Sequence, residues 1–196
     1  MKNKAAIASV CLAASFVFGS GTTAIAAEAS NGPNAGKVGL GYEGIFGGSI
    51  LQGLSGRYWV NNNVAAEVNF FYGNATVSGI NFIANKLDGD LLLGTAKVMF
   101  SPVVKPHSRF YVGIEGGLGS INLEADGVGT PGDVGVYVVN PLIGSEFSFA
   151  EIPELGFNFE VGYKFHHIDY TNDANVGDID IDLNGIAIAL GAHYYF

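Results

Sequence analysis

From Lys37 to Phe196 the sequence alternates with period 2, and its charges fall on the opposite phase to the one a soluble sheet would use. Every second residue of the windows 38–46, 54–60, 64–72, 92–100, 110–118, 139–149, 155–165 and 186–196 is apolar or Gly, apart from Ser145. The intervening phase carries Glu43, Arg57, Glu67, Lys97, Glu115, Glu146, Glu160 and Lys164. Strict alternation is the signature of a strand with two unlike faces. A soluble β-sandwich turns its apolar face inward and its charges to water. A continuous apolar face with every charge opposite it suits the reverse case, a wall whose outside meets lipid.

An open sheet cannot serve as that wall, because each unpaired backbone group in hydrocarbon costs several kcal/mol. The last strand must therefore pair with the first. The windows predict an all-β fold: a transmembrane, antiparallel, up-and-down β-barrel of eight strands over residues 37–196.

The first residues read as an address. Met1, Lys2 and Lys4 precede an apolar stretch over residues 5–18, and Ala24-Ile25-Ala26 is a small-x-small cleavage site. Residues 1–26 are thus expected to be a cleaved signal peptide and residues 27–36 a small, polar N-terminal linker. The stretch is too short for a spanning helix. Cys11, the single cysteine, falls inside it, so the mature chain is expected to have no thiol chemistry. Without residues 1–26 the chain holds 7 basic and 18 acidic residues, a formal charge of -11. That balance excludes the clustered Lys and Arg of a nucleic-acid binder.

Connections alternate in length. The segments 61–63, 101–108 and 150–154 are read as short turns, and 75–89, 120–134 and 169–182 as longer polar loops, with a short first outer link at 47–49. Short turns mark the periplasmic side and long loops the outer side. Aromatics then collect at two heights: Tyr58, Phe100, Phe110, Phe149, Phe157 and Tyr194 near the turns, with Phe46, Tyr72 and Phe165 near the loops. Two irregularities stand out. Ile179, Ile181 and Leu183 are out of phase with Ile186 onward, which predicts a β-bulge near Asn184-Gly185 or an extension of the strand above the membrane. Pro141, lacking a ladder donor, predicts another bulge or a strand boundary.

The ending Ala192-His193-Tyr194-Tyr195-Phe196 resembles the C-terminal signature of bacterial outer-membrane proteins, a terminal aromatic preceded by apolar residues at alternate positions. With the alternation and the leader, residues 37–196 resemble the outer-membrane β-barrel domain family, which includes OmpA-type barrels and the opacity proteins. Only the barrel half of OmpA is resembled. The resemblance implies that Tyr194 and Phe196 form an assembly signal read by the barrel-assembly machinery. It also implies a Gram-negative cell outer membrane as the location, with outer-membrane lipid and lipopolysaccharide around a monomeric wall.

The inward charges admit two readings: a polar pore with a proton or cation path, or a salt-bridged plug. The narrow interior of eight strands favours the plug. Gly39, Gly41, Gly53, Gly113, Gly117, Gly162 and Gly191 on the same phase are expected to leave some volume for water. His166-His167, beside Asp169, Tyr170 and Thr171, is the most enzyme-like cluster. Outer-membrane lipid A deacylases resemble the chain in architecture and use a His with a Ser two positions on, but Ile168 and Asp169 occupy those positions here. The acidic segment 173–178 lacks the ligand spacing of a calcium loop, and the glycines of 113–119 lack the following helix of a phosphate cradle. No catalytic residue, metal site or cofactor is expected. The expected role is structural or surface-interacting, with the barrel anchoring extracellular loops. The alternative is a narrow channel or carrier for small solutes, followed by an outer-membrane lipid hydrolase.

Overall fold

The computed structural model describes Gly32 and residues 34–46, 50–78, 86–125, 134–170 and 179–196. The leader and the acidic segment 173–178 lie outside the described residues. The alternating windows become eight strands: β1 (Val38–Phe46), β2 (Ile50–Trp59), β3 (Val64–Ser78), β4 (Lys86–Lys105), β5 (Ser108–Ala125), β6 (Val134–Phe149), β7 (Ile152–Tyr170) and β8 (Ile179–Tyr195). Each pairs antiparallel with its neighbours in sequence. β1 pairs with β8 from Gly39↔Tyr195 to Phe46↔Ile188, which closes the barrel.

Exposure confirms the inverted polarity. Leu54, Phe70 and Ile186 are 74%, 65% and 70% exposed on the outer wall, whereas Arg57, Glu67 and Lys97 inside are at 0%, 2% and 1%. No helix among the described residues is long and apolar enough to cross a membrane. Aromatic rings bunch where the wall meets the interfaces. At the turn end Phe147, Phe149 and Phe157 lie within 6.2 Å of one another by ring centroid, and at the outer end Tyr163 and Phe165 are 5.1 Å apart.

Several boundaries differ from the sequence expectation. The turn-end links are tighter than read: β4 runs on to Lys105 and β5 starts at Ser108, while β7 starts at Ile152. The run past Phe100 is possible because a bulge between Phe100 and Val103 absorbs Ser101 and Pro102, so Pro102 needs no ladder donor. A second shift lies between Ser148 and Phe149. At the outer end much of what reads as loop is strand, with β3–β4 paired to Ser78↔Lys86 and β4–β5 to Leu87↔Ala125.

The bulge expected near Asn184-Gly185 is absent. β7 and β8 keep one register from Leu155↔Tyr194 to Tyr170↔Ile179. The phase change has the other cause: β8 continues above the membrane, where Leu183 turns its apolar side chain to the lumen mouth. Pro141 marks neither bulge nor boundary. It pairs with Ile114 of β5, and the β6–β7 ladder skips Asn140 and Pro141 without changing register, so the missing donor costs a local gap only. Of the segment expected as a linker, Asn34–Gly36 form a turn against the barrel base. Gly36 adopts φ 78 there, a conformation that favours glycine, and its N–H donates to the Trp59 carbonyl at 2.7 Å.

Candidate functional site

All eight charged residues of the inward phase converge in the lumen, and none is more than 4% exposed. Arg57 of β2 is the hub. Its Nε donates to Glu67 of β3, its Nη1 reaches Glu146 of β6 at 2.7 Å and its Nη2 reaches Glu160 of β7 at 3.2 Å. Lys97 of β4 is the second hub, with Nζ at 2.7 Å from Glu67, 2.6 Å from Glu160 and 3.1 Å from Glu43 of β1. β2 and β6 stand on opposite sides of an eight-membered ring of strands, so these contacts cross the lumen instead of running along its wall. Lys164 stands apart. Its partner is Glu115, at 3.2 Å, which also accepts from the Asn140 amide at 2.8 Å.

Neutral donors complete the cluster. Tyr111 donates to Glu160 at 2.7 Å and Tyr195 to Glu146 at 2.6 Å, while the Trp59 indole N–H donates to Tyr195 at 3.3 Å. Asn69 donates to Glu67 at 2.9 Å. Each added bond lowers the cost of holding the charges out of water. The carboxylates of Glu43, Glu67 and Glu160 are close enough together to suggest a cation site. The Lys97 ammonium already fills that role.

Sequence reasoning missed part of the plug. Arg109 is inward and buried, 3.6 Å from Glu146, with its guanidinium stacked 3.7 Å over the Trp59 ring. Its position one residue before Phe110, on the charged phase, was the available signal. Counting it leaves five acids against four bases in the lumen. His193, also inward, bonds Ser55 at 2.7 Å and is fully buried. With Ala65, Met99 and Leu142, the rings of Trp59, Tyr111 and Tyr195 form an apolar layer at the turn end of the charges.

The inward glycines do not leave the volume expected of them. A Cβ at Gly41 would lie 1.9 Å from the Ala192 carbonyl oxygen, and one at Gly162 would lie 2.1 Å from Asn140 Oδ1. Their space is already occupied by neighbouring strands and side chains, so glycine here permits close approach.

Above the charges the lumen changes character. Ile45, Phe71, Leu93, Val136, Val138, Ala187 and Ala189 form a second apolar cluster, flanked by Leu51, Leu91, Ile121 and Ile168. Of these, Ile45, Leu93, Val136 and Ala187, with the four flanking residues, border a cavity of about 520 Å³ at the outer end of the barrel.

His166 and His167 diverge. His166 lines that cavity, with Nδ1 3.3 Å from the Leu183 carbonyl. His167 points outward between Asp169 at 2.7 Å and Asp182 at 2.8 Å, and Asp182, hydrogen bonded to it, holds its imidazole above the ordinary value. Tyr194 and Phe196 lie on the outer wall at the turn end, 54% and 66% exposed.

No protein-family model and no curated protein matches the chain. Solved structures do. The chain is similar to the outer membrane protein OprG of Pseudomonas aeruginosa at 14% identity and a TM-score of 0.60, over 84% of this chain and 98% of that one. It is also similar to the N-terminal β-barrel domain of OprF from the same organism, at 15% identity and a TM-score of 0.49 over 83% and 99%. Ail, the attachment invasion locus protein of Yersinia pestis, aligns at 17% identity and a TM-score of 0.43 over 82% and 95%. The OprG likeness shows the fold.

Proposed function

Since the chain is an eight-stranded β-barrel of the bacterial outer-membrane type, we propose that it works as a sealed anchor whose role is exercised at the outer face, and that it is neither a pore nor an enzyme. The observation that carries this reading is the cross-lumen network of Arg57 and Lys97 with Glu43, Glu67, Glu146 and Glu160. An ion moving along the axis would have to break those pairs, each held in a water-poor interior where separating charge is expensive. Beneath them the Trp59, Tyr111 and Tyr195 rings and the stacked Arg109 add a further layer. The test is conductance of purified protein in planar bilayers. No large, steady current is expected, and stable porin-sized currents would reverse the reading in favour of a channel.

The non-catalytic part rests on geometry too. His166 and His167 face opposite sides of the wall, so they do not share a substrate. The His193–Ser55 pair is enclosed at 0% and 4% exposure, out of reach of any acyl chain in the surrounding leaflet. We further read Tyr194 and Phe196 as the assembly signal. Both are outward aromatics at the end of the strand that closes the barrel, Tyr194 opposite Leu40 and Phe196 just past β8 with its N–H donating to the Val38 carbonyl. Deleting Phe196 should lower the membrane-inserted yield, measured by heat-modifiable gel mobility, while export is unchanged; equal inserted yields would remove the role.

A further inference from the structure

We propose that the outer half of the lumen is a binding site for a medium-chain aliphatic molecule with a hydrogen-bond-accepting head, entering from the outer side. The interior of an outer-membrane barrel is ordinarily polar. This one obeys that rule only in its lower half. Above the charges the inward side chains are Ile45, Leu51, Leu93, Ile121, Val136 and Ile168, and they surround open space. A continuous apolar lining around open space has no role in closing the barrel, since backbone pairing does that. It is the composition of a small-molecule site, and about 520 Å³ falls within the range such sites span.

The few polar groups of the lining set the head. They are Lys164, His166 and Asn184, and no carboxylate is among them. The Lys164 ammonium has Glu115 as its ion partner, at 3.2 Å, which leaves donor capacity for a second acceptor. Opposite Lys164 in the β7–β8 register stands Gly185, where a Cβ would meet nothing within 4 Å. Unlike Gly41 or Gly162, this glycine is not demanded by close packing. Its effect is to keep the wall beside the ammonium open.

This inference needs the sealed lower lumen only as its floor; bilayer conductance tests that reading, and the following titration tests this one. Barrels carrying methyl-labelled Ile, Leu and Val in phosphatidylcholine nanodiscs are titrated with decanoate. Methyls of Leu93 and Val136 should shift saturably, while those of Leu54, Ile114 and Ile143, which face lipid, should not. Gly185→Leu, whose Cβ would meet nothing within 4 Å, should weaken decanoate binding by about tenfold or more while the outward methyls keep their wild-type positions. Decyltrimethylammonium should bind more weakly than decanoate. In the paired variant Lys164→Met with Glu115→Gln, which leaves no lone charge behind, that preference should vanish. Shifts that grow together on both sides of the wall, or Gly185→Leu binding as wild type does, would overturn the site. Equal binding of the two amphiphiles by the wild type would overturn the assigned head.

Discussion

Followed along β4, the inward side chains run Met99, Lys97, Thr95, Leu93, Leu91 from the turn end to the outer end, so one strand crosses from a charged layer into an apolar one within a few residues. The two halves of the lumen solve the same geometric problem differently. Below, long ionised side chains reach across the axis and are held there by partners on four other strands. Above, aliphatic side chains pack against one another around the wall and leave open space at the outer end. Cross-lumen pairing therefore fixes the lower half as one unit, because Arg57 and Lys97 each answer to several carboxylates. The upper lining has no such mutual dependence. Loss of one side chain below should be felt across the barrel, and loss of one above should be local.

The largest expected effect is at the lower hub. Lys97→Met keeps the stem of the side chain and removes the ammonium that contacts Glu43, Glu67 and Glu160, so it strands buried carboxylates. Breaking a buried ionic cluster in this way costs about 3–5 kcal/mol. Reversible urea unfolding in lipid vesicles should show a loss of that order, and a companion Glu67→Gln should recover part of it. A loss below about 1 kcal/mol would mean that the network is ornamental to stability and that the two halves do not differ as argued.

Next in size is the wall. Ile114→Arg places a charge on the lipid face near mid-height and should cost about 2–4 kcal/mol in the same assay. Unchanged folding would show the phase of β5 to be wrong. Gly113 makes a poor inward control, since a Cβ there would lie 2.8 Å from the Val98 carbonyl oxygen. Leu51→Ser in the upper lining is the better one. Leu51 is half-buried at the edge of the cavity, so its loss should cost about 1 kcal/mol, less than either change above. A cost equal to that of Lys97→Met would erase the contrast between the halves.

How much of this was legible beforehand follows from what period 2 encodes. Alternation fixes which side of the wall each residue faces, so the inward placement of Glu43 through Lys164 could be read directly from the sequence. It says nothing about height along the axis relative to other strands, because that depends on the shear of the closed barrel. Hence the partners Arg57–Glu146 and Lys97–Glu160, separated by 89 and 63 residues in sequence, emerge only with the register. The filled space around Gly41 and Gly162 was hidden for the same reason: a glycine leaves volume or permits close approach depending on what the neighbouring strand brings opposite it. The apolar upper lumen was hidden differently. Its residues are apolar on both phases, as in Leu91-Leu92-Leu93, where alternation carries no signal.

The smallest expected effect lies just outside the upper half, on the outward face above Phe165. Asp169 pairs with Asp180 and His167 with Asp182 across β7 and β8, which places three carboxylates around one imidazole. The Tyr137 ring, 6.3 Å away, is the other neighbour. The hydrogen bond from His167 to Asp182, joined by the charges of Asp169, Asp182 and Asp180, raises its pKa above the ordinary 6.5 against an opposing desolvation. A raised folded value means that the imidazolium contributes stability in full below about pH 6.5, and that this contribution is lost as pH rises through the folded pKa. Without the imidazolium, the facing pair Asp169 and Asp180 repel with nothing between them. Amide protection factors at Ile168 and Ile181, corrected for intrinsic exchange, should therefore be higher at pH 5.5 than at pH 8.5. His167→Gln should flatten the difference, because glutamine can hydrogen bond Asp182 at either pH but carries no proton to lose. Amides of the lower half, such as Asn69 and Glu160, should show no matching change. A pH response of equal size there would place its origin in the central charge network instead of at the rim.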